Sequence, residues 1–394
     1  MPDTNQTLHE VVETLAPLRR RAGTEPEHEA AQWLAQRLER SGTTAEVEEE
    51  WFYDGYAKQL LPLGLAGALA GVLSLCGRRR PAAALGTLAA AAIADDASNG
   101  ARVWRKLISS PKRTWNVVAQ AGDERVERTL VLLAHHDAAP TGRIFDQGLQ
   151  HRLADNFPDL VQRSENSPPL WWPIAGAPAL ASLSAITGSR RLAALASALS
   201  ALNVGLGVDL ARERIVPGAN DNLSGVAALV ALAELLREAP VAGVRVLLAS
   251  CGAEEVLQGG IYGFAERHLQ PLSRERTWVL NLDTIGSPRL VMLEGEGTFR
   301  MEDYPRPEFR DLVADAATAA GVTLHRGARA RSSTDSVIPS RAGFPTATLI
   351  SWDPHTRLPT DYHLMSDVPE NVRYDTVADA VQLCHALAVK LAAA

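Results

Sequence analysis

Three apolar stretches of this chain stop at residues able to hold a cation. LVLLA runs into His135, His136 and Asp137, RVLLAS runs into CGAEE with Glu254 and Glu255, and WVLNL runs into Asp283. Between the first two, the Gly- and Asn-rich turn VPGANDNLSG presents Asp221 just ahead of a helix. Any one of these is unremarkable alone, because Asp and Glu after a strand are common turn or N-cap residues. Their meaning depends on whether the fold gathers them, since imidazole and carboxylate groups together form the kind of donor set that binds zinc.

The elements that would do the gathering alternate along the chain. The spacing of apolar residues predicts a helix over 26–41 and a strand in TAEVEEEWFY. Further strands are expected at 116–120, 128–134, 244–250, 276–282 and 345–351, with helices at 224–239, 307–320 and 376–392. Nearly continuous apolar strands separated by helices imply α/β architecture, a three-layer sandwich with a mostly parallel mixed sheet covered on both faces. In such sheets the functional crevice lies beyond the carboxyl ends of the strands, where His135, Glu254, Glu255 and Asp283 fall.

Two segments depart from this alternation. QLLPLGLAGALAGVLSLC, GRRRP and AAALGTLAAAAIA form one apolar hairpin; LWWPIAGAPALASLSAIT, GSRR and LAALASALSALNVGLGV form another. The division read from this is a discontinuous catalytic domain over 1–58, 100–165 and 212–394, with helical hairpins at 59–99 and 166–211. The runs are slightly short for membrane spans and rich in Ala and Ser. Gly67 and Gly71 nevertheless make a GxxxG pair, and Trp51, Phe52, Tyr53, Tyr56, Trp171 and Trp172 stand where interfacial anchors would. Membrane lipid is therefore the expected partner. The alternatives are a soluble cytoplasmic bundle or an arm that pairs copies of the chain. The arginine turns lie on one side and further cations flank the opposite ends, so the side of the catalytic domain stays open.

Composition narrows the partners. In 394 residues, 46% are hydrophobic and 22% charged, and the formal net charge is -7, which argues against nucleic acid. Cys76, Cys251 and Cys384 are widely spaced without a CxxC pattern, so no disulfide framework or thiolate metal site is expected, and all three are read as buried apolar residues. The N-terminus lacks the apolar core and cleavage site of a secretory signal.

The ordered blocks AHHDA, GANDNLSG, GAEE, NLDTIGS and YHLMSDVPENV resemble the co-catalytic dizinc exopeptidases, a family that includes bacterial leucyl-type aminopeptidases, glutamate carboxypeptidases and glutaminyl cyclases. The resemblance runs from about Leu18 to the C-terminus, leaving out the hairpins, which intervene where the family has short connections. It implies two Zn2+ per chain: His135 and Asp283 on one, Glu255 and His363 on the other, and Asp221 bridging both. It makes Asp137 the carboxylate that fixes the His135 tautomer. Glu254 becomes the general base, a division of labour between adjacent glutamates that Gly252 eases by letting the backbone turn. Tyr362 becomes the oxyanion donor. His136 is expected to be structural or to face solvent, and Asp335 to orient a loop or the site.

The function so implied is metallopeptidase hydrolysis of a peptide substrate, foremost an aminopeptidase releasing N-terminal residues. A glutaminyl cyclase-like transferase with one zinc is the second reading, and a non-catalytic membrane scaffold or receptor is the third.

Overall fold

A strand such as TLVLLAH, with no polar position to turn toward water, is stable only where both of its faces are covered. The computed structural model, which describes residues 4–123, 125–212 and 214–393, provides that cover. Helices α1 (Thr4–Leu15) and α2 (Glu25–Arg40) precede β1 (Thr44–Tyr53). Then come α3 (Ala57–Leu75), α4 (Arg79–Ala97) and α5 (Val103–Ile108). Strands β2 (Pro111–Gly122) and β3 (Thr129–His135) are followed by α6 (Gly148–Asn156), α7 (Pro158–Arg163), α8 (Trp171–Thr187) and α9 (Arg190–Leu210). The chain continues through α10 (Ser224–Glu238), β4 (Arg245–Cys251), α11 (Ile261–Phe264), β5 (Thr277–Leu282), β6 (Arg289–Glu296) and β7 (Glu302–Asp303). It ends with α12 (Pro307–Ala319), β8 (His325–Ala330), α13 (Val337–Arg341), β9 (Thr346–Trp352) and α14 (Tyr374–Ala393).

The strands form one mixed sheet in the order β1-β2-β4-β3-β5-β9-β6-β7, with β8 on β6. Its centre, β4-β3-β5-β9, is parallel, and antiparallel pairs close both sides. The expected strands are present, most displaced by a single residue. β2 is longer than its apolar stretch because it pairs with β1 along the whole of β1. On one face α1, α2, α10, α12 and α14 share a core in which every residue of α10 from Ser224 to Leu236 is buried. A smaller cluster around Val131, Leu133, Val279 and Phe264 covers the other face.

Helices α3, α4, α8 and α9 pack mainly on one another. Small residues make this possible: a Cβ on Gly67 would lie 2.7 Å from Ser200 Oγ, and one on Gly71 would overlap the Ser197 hydroxyl of α9. Ala70, Ala181, Ala193 and Ala196 fill the interior, while Leu65, Leu69, Leu88, Ile186 and Leu202 face outward and are more than half exposed. These Leu and Ile side chains point away from the bundle axis, although Leu63, Ile93 and Ile174 are buried near its foot.

Among the described residues three helices are long and apolar enough to cross a membrane: α3, α9 and α14. Four such runs were expected in the hairpins. However, α8 has only 17 residues, and α4 carries Arg79, Arg80, Asp95 and Asp96 at its ends. One face of α14, from Val377 to Leu391, lies in the core of the sheet domain. The interfacial reading of the aromatics also changes, because Phe52 and Trp171 are buried while Trp51 and Trp172 are exposed. Cys76 is exposed in the turn after α3, contrary to expectation, whereas Cys251 and Cys384 are buried.

Candidate metal centre

Each expected ligand emerges beyond the carboxyl ends of the parallel strands. His135 ends β3 opposite Cys251 at the end of β4, and Asp283 directly follows β5, its N–H donating to the Leu349 carbonyl at 3.0 Å. Glu254 and Glu255 follow β4 after Ala253, whose φ of +57° turns the chain sharply into the crevice. Asp221 occupies the turn ahead of α10, and His363 the long loop after β9. All of them are buried.

Asp221 stands at the middle of the arrangement. Its Oδ1 lies 3.3 Å from His135 Nε2 and its Oδ2 3.1 Å from His363 Nε2, which is also 3.1 Å from Glu255 Oε2. Ligand atoms of His135, Asp221 and Asp283 fall within 4.8 Å of one another, as do those of Asp221, Glu255 and His363. One carboxylate therefore faces two separate ligand groups with a different oxygen for each.

These residues fit metal ions better than they fit one another. Glu255 Oε1 and His363 Nδ1 are buried without a hydrogen-bond partner, and the 3.1 Å contacts of His363 Nε2 with the two carboxylates lack hydrogen-bond geometry, an arrangement that is costly unless something else binds these atoms. Burial pushes the Glu255 carboxyl up to about 7, against the pull of His363. Burial opposes the charge on His363, but the Glu255 and Asp221 carboxylates outweigh it and raise its pKa to about 10. Burial lifts Glu254 well above the carboxylate range, with Asp335, Asp283 and Glu255 adding to the effect against His135. Divalent cations relieve such crowding of buried carboxylates, and two imidazoles with three carboxylates and no thiolate suit zinc.

The surrounding residues hold this set in place. Asp137 accepts the backbone N–H of Glu254 at 3.0 Å and of Glu255 at 3.1 Å, and its Oδ1 is 3.5 Å from His135 Nδ1. Asp137 therefore fixes the glutamate loop as well as facing the imidazole. Tyr362 stacks on His363 with ring centroids 4.0 Å apart, and burial keeps its hydroxyl protonated, well above the ordinary tyrosine range. His136 is fully buried, with Nδ1 2.9 Å from Ser250 Oγ, which rules out the solvent-facing alternative.

Other contributors went unnoticed in the sequence. Thr284 Oγ1 reaches Asp221 at 3.1 Å and Asp283 at 2.8 Å, while Asp367 accepts the N–H groups of Asn220 at 2.6 Å and Asp221 at 3.1 Å. Arg20, wholly buried, binds the carbonyls of His136 and Pro217. Asp335, which the sequence did single out, is buried with neither oxygen hydrogen-bonded, and burial pushes it up to about 8. The crevice beside Glu255 is lined in part by Tyr56 and Ala57 at the start of α3 and Leu210 at the end of α9, so the bundle narrows the approach to the site.

The mixed sheet with helices on both faces is an α/β fold like that of zinc exopeptidases. Residues 204–388 match the model of Peptidase family M28, bearing out the resemblance read from the sequence. The match contains Asp221, Glu254, Glu255, Asp283, Tyr362 and His363. Among curated proteins none matches the chain.

Solved structures agree on the fold. A glutaminyl cyclase from Bacteroides thetaiotaomicron, bound to N-acetylhistamine, superposes with a TM-score of 0.57 at 16% identity, covering 98% of this chain and 97% of that one. A leucine aminopeptidase precursor from the same species gives 0.56 at 15% identity, over 98% and 96% of the two chains. BSAP, a zinc aminopeptidase from Bacillus subtilis, gives 0.55 at 14% identity, over 99% and 95%.

Proposed function

We propose that this protein is a zinc-dependent aminopeptidase with two Zn2+ per chain. The observation that carries this reading is Asp221, shared between two complete ligand groups with one oxygen turned to each. His135 and Asp283 would hold one ion and Glu255 and His363 the other, with Asp221 contributing an oxygen to each group. Bound zinc would polarise the scissile carbonyl and lower the pKa of water. Glu254 would serve as general base, accepting a proton from a water in the crevice and passing it to the leaving amine. Tyr362, kept protonated by burial, donates a hydrogen bond to the developing oxyanion. Asp137 holds Glu254 and Glu255 by their backbone N–H groups so that both carboxylates face one crevice.

The four-helix bundle is assigned to a lipid bilayer. Its outward Leu and Ile side chains support this, as does the length of α3, 19 residues or about 28 Å, close to the hydrocarbon core of a bilayer. Exposed Arg78, Arg79, Arg80, Arg190 and Arg191 at the tip would meet headgroups.

The test is to screen the purified, zinc-loaded protein against free-amine and N-blocked peptides. Cleavage confined to free amines is expected. Cyclisation of N-terminal Gln with one zinc per chain would instead select the cyclase reading, since cyclases share the fold equally well. Glu254→Gln should retain zinc and lose about 10² to 10⁴ in turnover.

A further inference from the structure

Gln258 lies in the same irregular loop as Glu254, and its carboxamide is fully engaged. Nε2 donates to Glu254 Oε1 at 2.7 Å and to the Ser333 carbonyl at 2.8 Å, while Oε1 accepts from Asn99 Nδ2 at 2.7 Å. The Ser333 carbonyl can only accept, so flipping the amide would set its oxygen against two acceptors; the network fixes its orientation. Gln258 is only 2% exposed, and its backbone N–H closes a turn onto the Glu254 carbonyl at 2.7 Å. One oxygen of Glu254 is thus tethered and the other is left for proton transfer.

Asn99 belongs to the foot of the bundle, two residues beyond the end of α4. Other bonds join the same regions. Arg105 of α5 is locked to Asp96 of α4 at 2.7 and 2.9 Å and donates to the Val256 carbonyl at 2.9 Å, and Arg102 donates to the Leu257 carbonyl. From Ala253 to Gln258, three residues other than glycine have positive φ, a conformation that side chains resist unless the surroundings hold it. Much of what holds this loop comes from the root of α4 and α5.

We propose that Gln258 is a positioning residue for Glu254 and that Asn99 secures it, so that the foot of the bundle is part of the catalytic apparatus as well as an anchor. This rests on Glu254 being the base, as assigned above. A purely structural role would weaken the protein and slow it equally whatever residue stands at 254, and that difference decides the test. Gln258→Met keeps the side-chain length and removes the donor, while Asn99→Ala removes one of the two residues that hold the Gln258 carboxamide and leaves Ser333, whose Oγ donates to Oε1 at 3.1 Å. Each is made in the wild-type and Glu254→Gln backgrounds, and kcat, KM, bound zinc and thermal midpoint are measured with aminoacyl chromogenic substrates.

Gln258→Met should lower kcat by about 10- to 100-fold, the usual loss when a supporting hydrogen bond near a metal centre is removed. KM and zinc content should hold, and Asn99→Ala should show a smaller loss in the same direction. In the Glu254→Gln background neither change should slow the residual rate further. Equal losses in both backgrounds, or unchanged kcat in both single variants, would overturn the inference. Should Gln258→Met fail to fold or to bind zinc, Asn99→Ala decides by the same comparison. Wild-type protein that cleaves no free-amine substrate overturns the aminopeptidase reading and this inference with it, an outcome distinct from active enzyme indifferent to Gln258.

Discussion

The Asp137 carboxylate accepts the backbone N–H of Glu255 at 3.1 Å, and its second oxygen accepts that of Glu254 at 3.0 Å. Both donors are buried, so the carboxylate is the group that satisfies the start of the loop. Asp137→Asn keeps one acceptor and turns an NH2 group toward the other N–H. It should lower turnover and zinc affinity together, each by about 10- to 100-fold. This is unlike Glu254→Gln, which should lower turnover alone. Isothermal titration with zinc beside steady-state kinetics separates the two patterns, and unchanged zinc affinity in Asp137→Asn would refute the bracing role.

The two ligand groups share Asp221 but are otherwise distinct, so metal content should respond unequally to substitution. His135→Ala and His363→Ala should each lower the zinc retained after dialysis by about one ion per chain, and Asp221→Ala should lower it by two. Chelation should also lower the thermal midpoint, because zinc binds the folded cluster and the unfolded chain has no such site. Elemental analysis of the four proteins checks the stoichiometry; loss of both ions from His363→Ala alone would contradict separate sites.

That His135, Glu254, Glu255 and Asp283 would be gathered in one crevice was legible because the strands before them were legible. β3, β4 and β5 are largely apolar strands, and in a parallel sheet the residues beyond their carboxyl ends converge by construction. His363 sits in a loop without periodicity and came only from resemblance. β6 was missed because its apolar run is short and bordered by Glu294, Gly295 and Glu296, and β8 because HRGARA has no strand pattern and takes its form from pairing with β6. Gln258 could not be found in advance, since a glutamine after VL carries no chemical signal and its role depends on Asn99 and Ser333, distant in sequence. Cys76 was misjudged because residue type argued for burial, whereas its position in a hairpin turn placed it outside.

The bundle makes a prediction of its own. At Gly71 a side chain would overlap the Ser197 hydroxyl and come within 3.1 Å of the Ala193 carbonyl, both on α9. Gly71→Val should force α3 and α9 apart and cost about 1 to 3 kcal/mol by overpacking. If the bundle lies in lipid, wild-type protein should stay with membranes through an alkaline wash and be released by detergent. Cys76 should then be the cysteine that maleimide labels under native conditions, since Cys251 and Cys384 are buried. Protein found in the wash supernatant would rule out the bilayer assignment.

Glu296, at the end of β6, gives stability a pH dependence in which burial leads and the nearby Asp283 carboxylate adds to the shift. Burial pushes its carboxyl up from the ordinary 4.5 to about 8, despite the hydrogen bond that Oε2 accepts from the Thr334 N–H at 2.7 Å. Oε1 has no partner, which suits a protonated acid. Between these values the folded protein keeps a proton that the unfolded chain has released. The contribution is therefore complete below pH 4.5, declines as pH rises and is gone above about 8. The slope is about 1.4 kcal/mol per pH unit across that window, a few kcal/mol in all. Glu296→Gln keeps an acceptor for Thr334 and has no proton to lose. Its thermal midpoint should match wild type near pH 5 and exceed it by several degrees near pH 8.5, with zinc held saturating in both proteins. Parallel midpoint curves for the two proteins would show that Glu296 stays ionised in the folded state.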